Sequence, residues 1–369
     1  MLMKKSVIVL ILPTSSQPRF HKRIFALSKL SKIIVFYFRR GLYEENIFKK
    51  DIETIFLFDL SDESYFRRLI PVIKSAKIIR ASLNQYKYSS TKFYVFSLDC
   101  LLIAKLAGIK NGVLEVGDLI QNYTSSYFFR LFEKFVLKNI DGLVLTSKEY
   151  YNKYYINLIN NKKTAFFFID NKVSDSLTLS RVLKDARLPT NGPIVIGLVG
   201  LLRFTSQILR LISFVEGQSG NVLLKVFGDG PCKNILQNHK SNFIKFYGSF
   251  KSPEDLYKIY KQIDLNYVVY DPSTLNVRLA LPNKLYESAF FGVPIIVSSN
   301  TYLSKIVKDW DIGGSVDCSD SEDFNEKMKN FVNPKWIKRK RLNCYKVPNS
   351  SLIDDQEKIV KNIYYKILK

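Results

Sequence analysis

A chain of 369 residues, 47% of them hydrophobic, holds enough apolar side chain for two domains and excludes a disordered polymer. Its 56 Lys+Arg against 33 Asp+Glu leave a formal net charge of +23, weighted to the front, where the first fifty residues carry 11 basic and 2 acidic side chains. Cys100, Cys232, Cys318 and Cys344 show neither CxxC pairing nor metal-ligand spacing, which excludes a disulfide scaffold and fits a reduced, cytoplasmic compartment.

The first apolar run, Ser6–Leu12, follows Lys4 and Lys5 in the manner of a signal peptide, but Pro13 closes it without a small-residue cleavage site. It reads as a buried strand, and no later stretch approaches the ~18 apolar residues of a spanning helix. Further strand-like runs are Ile33–Phe38, Thr54–Phe58, Tyr94–Phe96, Gly112–Val116 and Gly142–Thr146, with helical segments such as Leu101–Leu106 and Tyr127–Lys138 between them. A polar stretch ending in Pro189-Thr190-Asn191-Gly192-Pro193 reads as a linker. A second series follows: Ile194–Leu198, Val222–Phe227, Ile244–Tyr247, Leu265–Val269, Ile295–Ser298 and Gly314–Asp317. Strands alternating with helices predict a parallel, doubly wound α/β sheet in each half, two Rossmann-like domains facing a cleft. The expected boundaries are 1–172, a linker over 173–193, a second domain over 194–350, and an amphipathic helix over 351–369 whose Ile353, Ile359, Ile363 and Ile367 are spaced to pack back on the first domain.

The most informative segment is Leu281-Pro282-Asn283-Lys284-Leu285-Tyr286-Glu287, which leads through a short helix to Gly292-Val293-Pro294 and a buried strand. Asn283 is the expected N-cap, and Asn283, Lys284 and Glu287 share one helix face. A helix N-terminus with a cation and a carboxylate suits a nucleotide, the cation toward diphosphate and the carboxylate toward ribose hydroxyls; the alternative is a solvated ion pair. Three glycine turns follow strands: Gly197-Leu198-Val199-Gly200 with Arg203 three residues on, Gly228-Asp229-Gly230, and Tyr247-Gly248-Ser249-Phe250. Each alone is ordinary turn chemistry.

Their joint order resembles the nucleotide-sugar domain of retaining glycosyltransferases of the GT-B fold, glycosyltransferase family 4 type. The resemblance implies that Arg203 lies near the diphosphate, that Gly200, Gly228 and Gly230 turn beside the donor, that Phe250 belongs to a segment contacting the base, and that Glu287 binds ribose. It extends to the first half through Asp99-Cys100-Leu101-Leu102, Leu114-Glu115-Val116-Gly117-Asp118-Leu119, Phe132-Glu133-Lys134, Asp141–Ser147 and Asp170-Asn171-Lys172. Many members carry two glutamates spaced E-x7-E; here the first position is Leu279, with Asn276 nearby as a polar substitute. The usual N-terminal glycine pair is replaced by Pro13-Thr14-Ser15-Ser16, and His21, in a basic run, reads as solvated or phosphate-facing. Asp309-Trp310-Asp311 has the D-x-D pattern of metal-dependent GT-A enzymes but precedes Gly313-Gly314 and a last strand, so it reads as a surface turn, and no metal ligand is assigned.

What the resemblance implies is a hexosyltransferase-type enzyme that needs no cofactor. It would move sugar with retention from a UDP- or GDP-type nucleotide sugar to a lipid-linked or oligosaccharide acceptor in surface polysaccharide biosynthesis. Lys284 and Arg203 would stabilise the departing phosphate, with Asp118 and Asp99 orienting the acceptor hydroxyl or taking its proton; for both aspartates N-capping or fold support is the alternative. The basic N-terminal half, with Arg19, Lys22, Arg23, Lys29, Lys32, Arg39 and Arg40 among aromatics, points to an anionic membrane surface, hence a protein peripheral to the inner face of the plasma membrane. The same charge admits a nucleic-acid- or membrane-binding GT-B-like protein without activity. No recognisable nucleic-acid module supports that alternative, and no nucleic acid is expected as a partner.

Overall fold

The computed structural model describes residues 6–15, 17–39, 48, 52–59, 69–86, 90–120, 127–159, 163–174 and 192–369. Most of the expected linker, residues 175–191, lies outside the described residues, as do Lys4, Lys5, Ser16 and Arg40. The chain folds as two compact units, one of Met1–Ile169 with Asp355–Lys369, the other of Asp170–Asp354.

In the first unit the elements run β1 (Val7–Leu12), α1 (Pro18–Ser28), β2 (Lys32–Arg39), β3 (Glu53–Asp59), α2 (Leu69–Tyr86), β4 (Thr91–Val95), α3 (Leu98–Leu106), β5 (Gly112–Val116), α4 (Tyr127–Leu137), β6 (Gly142–Leu145), α5 (Lys148–Lys153) and β7 (Ala165–Phe168). The strands form one sheet in the order β3-β2-β1-β4-β5-β6-β7, every pair parallel. All six residues of β1 are buried, because helices cover both faces of such a sheet and its central strands become continuous apolar runs. The edge strand β7 has no counterpart among the expected strands: Ala165-Phe166-Phe167-Phe168 is short and only partly buried, too little pattern to distinguish from a turn.

The second unit runs β8 (Ile194–Leu201), α6 (Thr205–Glu216), β9 (Val222–Asp229), α7 (Lys233–Gln237), β10 (Ile244–Gly248), α8 (Leu256–Tyr260), β11 (Leu265–Val268), α9 (Leu275–Leu279), α10 (Asn283–Phe291), β12 (Ile295–Ser298), α11 (Tyr302–Asp309), β13 (Gly313–Val316), α12 (Ser321–Phe331), α13 (Pro334–Lys346) and α14 (Asn349–Leu352). Its sheet is β10-β9-β8-β11-β12-β13, again parallel throughout. The order reverses between β8 and β11, the switch point where doubly wound sheets leave a crevice at the strand ends.

The C-terminal segment is not one helix. Ile353 forms a parallel bridge with Val173, and Val173 and Leu352 and then Asp354 and Val173 exchange backbone hydrogen bonds of 2.9 Å. Helical hydrogen bonding therefore breaks there, and α15 (Gln356–Ile363) restarts, its Val360 and Ile363, followed by Ile367, entering the first unit's core beside Ile8, Leu10 and Phe20. No helix among the described residues is long and apolar enough to cross a membrane.

Candidate functional site

The ends of β8 and β9 are packed backbone to backbone. Gly200 pairs with Gly228 in the sheet register, and a Cβ on Gly228 would overlap the Gly200 carbonyl oxygen. Beyond them Leu202 donates to the Asp229 carbonyl at 2.9 Å, and Gly230 leaves no room for a side chain against the Leu202 backbone. Gly200, at φ 117°, also sits under the incoming helix α10: its missing Cβ would lie 3.1 Å from Lys284 Cε. The glycines therefore make a floor of bare peptide groups at the strand ends, with a lysine stem across it. Asp229 braces the turn, accepting from Gly230 N–H at 2.8 Å, Lys233 at 3.1 Å and Ser249 at 3.0 Å. These donors, the Gly230 N–H foremost, hold its carboxyl below the ordinary aspartate range.

Helix α10 begins directly after Pro282, which occupies the cap position at φ −76° and ψ 155°. Asn283 is therefore the first helical residue and not the N-cap that its residue type suggested. Proline's fixed φ already suits a helix entrance, and the Asn283 side chain turns to donate to Glu287 Oε1 at 2.8 Å. Lys284 and Glu287 are 6% and 4% exposed, and Lys284 Nζ stands 2.6 Å from Glu287 Oε2. The solvated-face alternative is thereby ruled out: this pair is buried, and burying an ion pair is costly unless its remaining hydrogen bonds are made. Tyr260, from α8, supplies one, donating to the same Oε2 at 2.8 Å. Asn266 of β11 donates in turn to the Tyr260 hydroxyl at 3.2 Å and to Ser288 Oγ at 2.8 Å. Burial, and next the charge of Glu287, pushes the Tyr260 hydroxyl well above its usual range, so it stays protonated and remains a donor.

Around this network stand further members of the expected set. Lys284 Nζ lies 5.7 Å from the ring centre of Phe250. Arg203, exposed, stacks at 5.0 Å over Phe204, whose ring packs on Tyr270 with centroids 5.0 Å apart. Burial pushes the Tyr270 hydroxyl up to about 12 against the opposing charge of Arg203, with Glu287 adding to the rise. Gly200, Gly228, Gly230, Arg203, Phe250, Asn283, Lys284 and Glu287 thus gather around one end of this sheet. Asn276 is buried on α9, where its carbonyl closes the helix onto Ala280 N, and Leu279 on the same helix is buried. Tyr260, Asn266 and Tyr270 were not read from the sequence; none of them lies on the helix that carries Glu287, and no local pattern marks them.

Asp309 ends α11, and Asp311, at φ 52°, turns the chain toward β13. Lys340 pairs with Asp311 Oδ1 and Asn343 donates to Oδ2 at 2.6 Å. The Asp311 carboxylate holds this turn to α13. Among the described residues no cluster of three or more His, Cys, Asp or Glu is placed to hold a metal ion.

The two remaining candidates belong to the first unit. Asp99 occupies the first turn of α3, which Ser97 caps by accepting from Cys100 N–H, and Asp118 is exposed just past β5. Both line a cavity of about 180 Å³ together with Arg19, Glu133, Tyr154 and Tyr155. Tyr154 and Tyr155 donate to Glu133, whose carboxyl is held above the ordinary range by burial. His21 is no solvated residue: its Nε2 bonds the Ser15 carbonyl at 2.6 Å, holding the turn after β1.

Residues 182–346 match the family model described as Glycosyl transferases group 1. Succinoglycan biosynthesis protein ExoL of Rhizobium meliloti is 25% identical over 194 residues, 49% of this chain and 47% of that protein. The match thus spans about half the length of that relative. Among solved structures, a glycosyltransferase from Rickettsia africae has a TM-score of 0.63 at 14% identity, covering 98% of each chain. HepE of Anabaena, solved with UDP and glucose, has a TM-score of 0.66 at 14% identity over 99% of this chain and 98% of its own. Sucrose-phosphate synthase of Thermosynechococcus elongatus has 0.67 at 13% identity, covering 98% and 99%. These likenesses establish the GT-B fold.

Proposed function

We propose that the protein is a retaining glycosyltransferase of the family 4 type, moving a hexose from a UDP- or GDP-linked donor to a lipid-linked or oligosaccharide acceptor in surface polysaccharide biosynthesis. The observation that carries this reading is the buried Lys284–Glu287 pair at the start of α10, set against the bare glycine floor of Gly200 and Gly228. A diphosphate over that floor would meet no side chain from the glycines, and would face the positive end of α10 and the Lys284 ammonium, whose three N–H donors include one already given to Glu287. Glu287 Oε1, held only on one side by Asn283, faces a ribose hydroxyl in this reading.

Sugar transfer concentrates negative charge on the departing phosphate. Positive groups fixed there in advance stabilise the transition state more than the ground state. Lys284 is fixed by burial, and Arg203 by stacking on Phe204. The acceptor would bind the first unit, where Asp118 and Asp99 share a cavity with Arg19. The relative's part in succinoglycan biosynthesis supports the polysaccharide assignment.

A thermal-shift screen against UDP, GDP and their sugars tests this. A ligand at a hundred times its Kd adds about 2.7 kcal/mol of stability, a shift of several degrees. No shift with any nucleoside diphosphate or nucleotide sugar would defeat the reading.

A further inference from the structure

Helix α4 of the first unit has an exposed outer face among the described residues. Its inner face is fixed by Val136, Leu137 and the buried Glu133, which Tyr154 and Tyr155 hold. On the outside Tyr127, Phe128 and Phe135 are 69%, 81% and 73% exposed, and Leu131 and Phe132 nearly half exposed. Phe128, Leu131, Phe132 and Phe135 follow the 3–4–7 spacing of one helical stripe. Exposing so many large apolar side chains on two to three turns of a water-facing helix is unfavourable unless something covers them.

The charges beside this stripe are all of one sign. Arg130, Lys134 and Lys138 recur every fourth residue, and the helix's sole acid, Glu133, points inward. At the C-terminal end of α4 lies a cavity of about 510 Å³ lined by Lys105, Lys110, Lys138 and Lys163, with Asp141 the one acid in its wall. Asp141 is engaged, accepting from Gly112 N–H at 2.8 Å. Lys105 donates to the Lys138 carbonyl at 2.5 Å, tying the end of the helix to the basin. The basin opens where β5 and β6 begin, at the opposite end of the strands from Asp118.

By contrast, much of the basic run expected to face a membrane is neutralised. Arg23 is 3% exposed and bonds Glu115 through Nε at 2.9 Å and Nη2 at 3.1 Å. Lys29 pairs with Glu357 at 2.9 Å, Lys32 with Glu53 at 3.6 Å and Arg39 with Asp59 at 2.9 Å. Basic residues early in the sequence are therefore not one continuous cationic face; carboxylates from distant segments answer them.

We propose that α4 is the surface by which this protein docks on an anionic phospholipid bilayer, its aromatic stripe entering the headgroup layer while the Lys105–Lys110–Lys138–Lys163 basin receives lipid phosphates. An apolar stripe flanked by basic side chains is the pattern of helices that lie in the membrane interface. Charge decides the occupant: the side chains beside the stripe and around the basin are predominantly basic, so an anionic surface complements them where a zwitterionic one satisfies the aromatics alone. The inference deepens the lipid-linked acceptor reading above and rests on it for its purpose, while the binding itself is measured without any sugar chemistry.

The test is co-sedimentation of the full chain with phosphatidylcholine vesicles, with and without an equimolar share of phosphatidylglycerol. Retention by the anionic vesicles only, reversed by high salt, is expected. Phe128→Ser with Phe135→Ser should weaken retention, as should Lys110→Glu with Lys134→Glu, each by roughly tenfold or more. Lys29→Glu with Lys32→Glu should leave it within about twofold of the parent. As an independent reading, Phe135→Trp should show a blue-shifted indole emission on anionic vesicles. Retention of the aromatic variant equal to the parent's, no emission shift, or equal binding to neutral vesicles would each overturn the proposal. UDP and GDP thermal shifts run on the same variants separate the two readings: loss of vesicles with nucleotide shifts intact supports α4 docking, and vesicle binding without any nucleotide shift leaves α4 standing while the enzyme reading falls.

Discussion

Tyr260 donates its hydroxyl proton to Glu287 Oε2 at 2.8 Å, the same oxygen that Lys284 holds at 2.6 Å. Glu287 is therefore a junction between α8, α10 and, through Asn266, β11. Removing it affects the fold and the site together. Glu287→Ala should strand the buried Lys284 ammonium and cost about 3–5 kcal/mol of stability by chemical denaturation. Glu287→Gln keeps the shape and loses the charge. It should remain folded yet bind the preferred nucleotide at least about tenfold more weakly by calorimetry, since a hydrogen bond to a charged group contributes about 1.5–3 kcal/mol. Unchanged affinity in Glu287→Gln would sink the ribose assignment.

Arg203 is exposed and packs on Phe204, so its truncation should leave the melting temperature within a degree or two of the parent. Turnover should fall by more than KM rises, because the charge acts on a phosphate that becomes more negative during transfer. Lys284→Ala should show the same kinetic pattern on a less stable protein. If kcat survives in both variants and only KM moves, the two cations bind donor without serving the transition state.

Transfer should persist in excess EDTA. Asp311→Asn should be nearly silent, since asparagine tolerates the left-handed conformation at φ 52° and retains an acceptor for Lys340. Activity lost to chelation and restored by Mn²⁺ would make Asp309-Trp310-Asp311 worth revisiting as a metal site.

Glu133 contributes a pH dependence of its own. Its carboxyl is held above the ordinary range, chiefly by burial, so the folded state keeps that proton to higher pH than the unfolded chain. The sign follows: the contribution is complete below the unfolded value of about 4.3 and is lost as pH rises through the folded one. Denaturation midpoints should fall over that window in the parent and change less in Glu133→Gln. Parallel profiles would show that Glu133 does not titrate in it.

Local signals were enough for much of this protein. Alternating apolar runs and helical spacings placed nearly every strand of both sheets, because a strand buried on both faces is mostly apolar, as Val7–Leu12 and Ile295-Ile296-Val297 are. The site was legible to the extent that its members sit on one helix face or one turn: Lys284 with Glu287, and Gly228 with Gly230. The resemblance to family 4 added Arg203 and Gly200 by order along the chain. The failures were at places where a residue's partner is remote. Asn283 looked like a cap until Pro282 took that position and Glu287 took its side chain. The terminal segment looked like one helix until Ile353 met Val173.

By itself, then, the sequence determined the fold class, the strand rhythm and the polar face of α10, since these follow from periodicities of two and 3.6 residues and from the few residue types that start and stop elements. Only the tertiary structure decided which charges are free to act. Arg23 and Lys29 are equally basic in the sequence as Lys134 and Lys138, yet folding brings Glu115 to the first and Glu357 to the second. It also leaves Phe128 and Phe135 on the surface and buries Tyr260 beside Glu287. Hydrophobicity and charge are properties of residues, but exposure and pairing are properties of contacts between segments 27 to 328 residues apart in these cases, and no local pattern encodes them.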